Sequence, residues 1–381
     1  MSPILSWGFL GRPSGLLRKV LLLSLSLLTF YALLHPWPLA IRAANSDGGA
    51  ADRRFARALA LPSSVPVQYR AGTLELQWAE RAAEYAQRAG GFCAVLAGEA
   101  TEWQALLDAV AATRSAALGG SGGASAQHRS GAVEWSTISY SDGSSVALEP
   151  LAGILRDPRT TCQGSALTPS VPWGPQDSKA TVYLDPGFYR ALASTLAPPG
   201  SAAPRSAQPR ALLLDLGSTL WSSAQPYSGL SWLVHAYAEL GIEFSDVLAW
   251  EAHEKPANEY FLDMPPELAA RTHFYNVPVV ASTSAVGPGG VFRMLKALAR
   301  PEDFVVVKLD IDMDTLEEEL VLSILESTEL GALIDDFYFE HHVNTLGVMT
   351  AWGEGHPRDT AGSIALFQAL RRRGIRAHPW P

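Results

Sequence analysis

Phe304-Val-Val-Val-Lys-Leu-Asp-Ile-Asp-Met-Asp314 opens as an apolar run and closes with three carboxylates at alternate positions, Asp310, Asp312 and Asp314. Phe304 to Val307 are all apolar and mostly β-branched, which predicts a strand buried on both faces. In an open α/β sheet, ligands bind outside the carboxyl ends of the strands, so a buried strand that ends in acids points at a site. Ala211-Leu-Leu-Leu-Asp-Leu-Gly217 and Asp246-Val-Leu-Ala-Trp-Glu251 repeat the design.

Outward from these strands, the chain after Arg210 alternates strand and helix. Strands are expected over 212–216, 247–250, 273–280, 304–309 and 337–339, and helices over 229–240, 291–300, 315–326 and 361–373. Pro278 pushes the third strand toward an edge. Such alternation predicts an α/β fold, a mostly parallel sheet with helices on both faces. Upstream, the 67–196 region reads as a smaller α+β region. It has helices over 68–88, 101–117 and 186–196, a hairpin turning at Ser141-Asp-Gly-Ser144 and a short strand over 181–184. Residues 197–209, rich in Pro, Ala and Ser, read as a linker to a 210–381 domain.

The net charge of −9 and the lack of a basic patch argue against a nucleic-acid partner. Arg371-Arg-Arg373 reads as a cationic helix end, which suits the dipole. Residues 1–46 hold no acid, and Arg12, Arg18 and Lys19 precede the apolar run Val20 to Leu34. That run is short for a span of roughly 20 residues, but His35 to Ile41 extends it. A signal anchor over 1–43, a stem over 44–66 and a C-terminal body in the lumen of the secretory pathway, Golgi or ER, is the favoured arrangement. A cleaved signal peptide ending near Ala43-Ala44 and an organelle transit peptide are the alternatives. Cys93 and Cys162 either pair or are two buried thiols, and their spacing fits no zinc motif.

The order acid-Gly, acid, acid over one sheet is a nucleoside-binding arrangement. On these motifs the segment 210–345 resembles the Rossmann-like S-adenosylmethionine-dependent methyltransferases, most closely the FkbM-type group. Asp215 and Gly217 match the first strand's Asp-x-Gly, and Trp250-Glu251 matches the aromatic-Glu end of the second. Lys308-Leu-Asp-Ile-Asp312 matches Lys-x-Asp-x-Glu with Asp for Glu. The family's Gly-x-Gly loop is absent. Gly229, after the long 215–229 loop, is the candidate for its second glycine, and Met313 stands where the family commonly has Gly. The resemblance implies a membrane-anchored enzyme that transfers a methyl group from S-adenosylmethionine to a hydroxyl of a sugar or another small polar or glycan acceptor. Glu251 would hold the ribose, Asp215 and Gly217 the amino-acid end, and Asp310 with His341 or His342 the acceptor side.

Each of these residues also has a plainer reading. Asp215 can be a surface acid, and Asp312 and Asp314 can be solvated acids in a first helical turn. Two adjacent histidines at a strand end point to opposite faces, so at most one faces the crevice. Trp221, Tyr227 and Trp250 can stack on an adenine or sit in the core. Two other functions remain open. One is a type II membrane glycosyltransferase in which Asp310 and Asp312 hold a divalent metal on a nucleotide sugar. The other is a non-catalytic methyltransferase-like module whose 218–228 loop fills the cofactor space.

Overall fold

The computed structural model describes residues 48–61, 66–86, 101, 105–112, 134–151, 179, 181–200, 208–221, 229–343 and 358–380. The apolar run at 20–34, Cys93, Cys162, Tyr227, the 218–228 loop beyond Trp221 and the 201–207 part of the linker lie outside them. Among the described residues no helix is long and apolar enough to cross a membrane. Residues 1–55 and 56–381 are separate units. The expected stem carries a helix, α1, at Gly48–Ala60.

The larger unit holds two sheets. A three-stranded antiparallel sheet, in the order β1-β2-β3, is built from β1 (Val67–Arg70), β2 (Ser136–Tyr140) and β3 (Ser145–Leu148). The β2–β3 hairpin turns where the sequence predicts. Asp142 Oδ1 accepts the Ser144 N–H at 2.8 Å and Gly143 takes φ 86°. Two expectations fail in this region. Val67 to Arg70 pair as a strand ahead of the helix α2 (Thr73–Ala86), because their side chains alternate in burial against β2. Residues 181–184 form no strand, since the Tyr183 N–H goes to the Glu149 Oε2 side chain at 3.0 Å. Asp185 then caps α3 (Pro186–Ala193), accepting from the Gly187 and Phe188 amides.

The main sheet has six strands, all parallel, in the order β6-β5-β4-β7-β8-β9. They are β4 (Ala211–Leu216), β5 (Asp246–Trp250), β6 (Thr272–Tyr275), β7 (Phe304–Leu309), β8 (Asp336–Phe339) and β9 (Arg376–Pro379). Counted in chain order this is 3-2-1-4-5-6, the doubly wound arrangement in which strand order reverses between the first and fourth strands. The fold is therefore α/β and Rossmann-like. Every residue of β4 and β7 is buried, as the continuous apolar runs predict. Ala211, Leu213, Val247, Ala249, Phe304, Val306 and Tyr338 share one core with Leu230, Leu233 and Tyr237 of α4 (Gly229–Ala238). The alternate residues Leu212, Leu214, Val305, Val307, Phe337 and Phe339 are equally buried on the other face. The remaining long helices are α7 (Val291–Leu298), α8 (Asp314–Glu326) and α10 (Thr360–Arg372); the short α5 (Ala257–Tyr260) and α6 (Pro266–Ala269) precede α7, and α9 (Thr328–Leu333) follows α8.

β6 is one of the two edge strands, as Pro278 suggests, and ends at Tyr275. β9 has no signal in sequence patterning. Its burial depends on Arg376, whose guanidinium binds the buried Asp336, and on His378, which faces Glu149 at 3.1 Å. Arg371 and Arg372 stand in the last turn of α10, as the sequence suggests, but Arg371 does not face water. It is fully buried and bonds Glu149 Oε1 at 2.9 Å and the Glu149 carbonyl at 2.8 Å.

Candidate functional site

The strand-end acids meet where the sheet order reverses. Asp215 on β4 lies opposite Lys308 on β7, so both side chains leave the same face. Lys308 is buried, and its Nζ lies 3.1 Å from Asp215 Oδ1, 3.2 Å from Asp310 Oδ2 and 3.0 Å from the Gly217 carbonyl. A lysine in this apolar strand is stable there because two carboxylates and a carbonyl replace its water. Burial alone would lower its pKa, but Asp215 and Asp310 outweigh burial and raise it. Asp215 is fully buried, and its Oδ2 has no hydrogen-bond partner.

Gly217 must be glycine. Its φ is 86°, and a Cβ there would lie 1.5 Å from the Asp310 carbonyl oxygen. The chain leaving β4 and the chain leaving β7 touch at this point, and the Gly217 and Ser218 amides both donate to the Trp250 carbonyl of β5. Ser218 Oγ meets the Tyr260 hydroxyl at 2.8 Å. Gly229 at the start of α4 leaves room for the Lys308 stem, which a Cβ would approach to 2.9 Å. Asp215, Gly217, Gly229 and Asp310 are therefore brought together around one lysine.

Glu251 stands two strands away and is engaged with its own turn. Its Oε1 accepts the His253 N–H at 2.7 Å, and its Oε2 lies 3.2 Å from Lys255 Nζ. Asn276 pins this turn by donating to the Glu251 and His253 carbonyls and accepting from the Lys255 N–H, a task for the 275–279 segment that its sequence does not reveal. Trp250 is buried, stacks on Tyr275 and donates to the Pro288 carbonyl at 2.7 Å. Trp221 lies beside His235.

Asp310 and Asp312 part company. Asp310 Oδ2 takes a hydrogen bond from Trp380 Nε1 at 3.2 Å as well as the Lys308 charge. Burial, reinforced by Glu340 and opposed by Lys308, pushes Asp310 up to about 7. Asp312 adopts the left-handed φ of 55°, which turns its exposed side chain out of register with β7.

The two histidines diverge as alternation requires. His341 stacks on Phe339 and its Nδ1 meets Ser363 Oγ at 2.9 Å. His342 turns toward the acids. Its Nδ1 lies 2.9 Å from Asp314 Oδ1, and its Nε2 lies 3.4 Å from Glu340 Oε2 and 4.0 Å from Asp312 Oδ1. Burial opposes its charge, but Asp314 and Glu340 prevail and hold it up at about 10. Glu317, in the first turn of α8, is buried. Its Oε1 accepts the Ile311 N–H at 2.8 Å, and burial pushes it up to about 8.

Glu317, Glu340, Trp380 and the bridging role of Lys308 escape the sequence reading. A lysine inside Val-Val-Val-Lys-Leu is a usable signal for Lys308, and the i,i+3 spacing from Asp314 is one for Glu317. Trp380 has none, since its place depends on β9. Comparison with protein-family models, with curated proteins and with solved structures gives no match.

Proposed function

We propose that this chain is an S-adenosylmethionine-dependent O-methyltransferase acting on a small polar or glycan hydroxyl. The observation that carries the reading is Asp215. It is a fully buried carboxylate with a spare acceptor oxygen at the carboxyl end of the first strand, where the sheet order reverses. An unpaired buried acceptor is costly, and an ammonium or hydroxyl of a bound ligand would satisfy it. The methionyl end of the cofactor offers that ammonium. The bound cofactor supplies an electrophilic methyl on a sulfonium.

Asp310 takes the acceptor side. Held up at about 7, its carboxylate can receive the acceptor's proton near neutral pH, which is where a general base is most effective. With the cofactor bound, the acceptor's hydroxyl proton would pass to Asp310 as its oxygen takes the methyl from sulfur, which would keep the electron pair of the broken C–S bond. Lys308 holds Asp310 and Asp215 in fixed relation, so orientation is set before reaction. For Glu251 to hold the ribose, its remaining lone pairs must serve, or Lys255 must swing away.

The test is thermal. S-adenosylmethionine, or its demethylated product, at about a hundred times its dissociation constant should add roughly 2.7 kcal/mol of stability. Asp215→Asn, which keeps shape but loses charge, should remove most of that gain, and Glu251→Ala should abolish it. A folded wild-type chain that neither compound stabilises sinks the reading. The metal-dependent glycosyltransferase is the second reading, and the carboxylate–imidazole cluster around His342 favours it. It predicts stabilisation by a nucleotide sugar with manganese, reversed by chelator.

A further inference from the structure

The cluster around His342 follows the end of β8, and the proton transfer to Asp310 does not call on it. Asp314 and Glu317 sit one helical turn apart at the start of α8 and so present to the same side. His342 leaves the end of β8, the strand paired with β7, which brings its ring against them. One donor atom from each of Asp314, Glu317 and His342 lies within 4.8 Å of the other two. Asp312 and Glu340 flank the second imidazole nitrogen.

A second observation is independent of that crowding. Glu317 is 1% exposed, and while its Oε1 is tied to the Ile311 N–H, its Oε2 is buried with no hydrogen-bond partner. A buried acceptor without a donor is costly, and a bound cation would satisfy it.

We propose that Asp314, Glu317 and His342 bind a divalent metal ion. Two carboxylates and one imidazole form a borderline-hard donor set, suited to manganese or zinc and poorly suited to copper(I), which prefers sulfur. Asp314 is about one-third exposed, so water or substrate oxygens could reach a bound ion from its side. The class of ligand this adds to the site is an oxygen chelator, such as an acceptor with neighbouring hydroxyls. The metal site rests on these three residues and stands whether or not the methyltransferase reading holds.

The test uses the full chain in detergent, stripped with a chelator and then titrated with Mn²⁺ alone, with the free ion followed by electron paramagnetic resonance. One saturable site per chain is expected. Glu317→Gln and His342→Ala should each weaken it by at least about tenfold. Glu251→Gln, on the far side of the sheet, should leave it unchanged. Circular dichroism checks folding, and Asp314→Asn, at the more exposed position, supplies the same comparison if Glu317→Gln misfolds. The proposal is overturned by a folded wild-type chain that shows no saturable binding. It is equally overturned by folded Glu317→Gln or Asp314→Asn chains that bind as the wild type does, or by a site that responds to Glu251→Gln instead.

Discussion

Asp310 shows how one carboxylate is tuned. Burial raises its pKa, Glu340 adds to the rise, Lys308 pulls against it, and the balance falls at about 7. Between pH 4 and 7 the folded chain keeps a proton that the unfolded chain has shed, so this group costs stability as pH rises through that window. What is gained is a base half-ionised at neutrality. Methyl transfer should rise with pH about a midpoint near 7. Asp310→Asn should lower turnover by about 100-fold or more and flatten that profile, while binding of S-adenosylmethionine remains measurable by calorimetry. A variant that keeps the wild-type profile would remove Asp310 from the chemistry.

At the scale of elements, the sheet is held in register at its amino ends as well as its carboxyl ends. Asp303, just before β7, accepts the Arg210 N–H at 2.9 Å, Arg210 Nη2 at 2.7 Å and Arg300 Nη2 at 2.6 Å, clamping the starts of β4 and β7 together. Burial would raise this carboxyl, but the bonds from Arg300 and Arg210 outweigh it and hold it at about 2. The sign is that of a depressed acid. Its contribution of roughly 2 kcal/mol is present above pH 4 and fades as pH falls through 2. Urea midpoints of wild type and Asp303→Asn should therefore differ at pH 7 and converge near pH 2. A gap that persists in acid would mean that shape, not charge, matters at this clamp.

The central strands were legible because β4, β5 and β7 carry long apolar runs and end in acids, and that pattern needs no partner to be read. β9 was not, because Arg376-Ala-His-Pro379 is buried only by virtue of Asp336 and Glu149, both distant in sequence. The site was half legible for a similar reason. Strand alternation places Asp310 and Asp312 on one face, but the left-handed turn at Asp312 ends the alternation between them. Asp310 therefore joins Lys308, and Asp312 joins His342.

Over residues 56–381 the same long-range pairing joins two sequence regions that composition separates. The described ends of the 197–209 linker meet, with the Ala197 N–H donating to the Pro209 carbonyl at 2.8 Å. α2 packs on α10, and Gln368 of α10 donates to Glu75 at 2.9 Å. The buried Arg371 lies between Glu75 and Glu149, both contributed by the first region. Removing one member of a buried ion pair costs about 3–5 kcal/mol because the charge left behind has no water to turn to. Arg371→Met should therefore destabilise the chain by about that amount, strandings of Glu75 and Glu149 being its cause. A fragment of residues 210–381 strands the arginine in the same way and also uncovers the face of α10 that α2 packs against. Its chemical denaturation should show no cooperative transition, whereas a chain nicked only within residues 201–207 should elute from a sizing column as one species. Cooperative unfolding by the isolated fragment would show that the sheet stands without its first region and that the buried arginine network joins two bodies able to live apart.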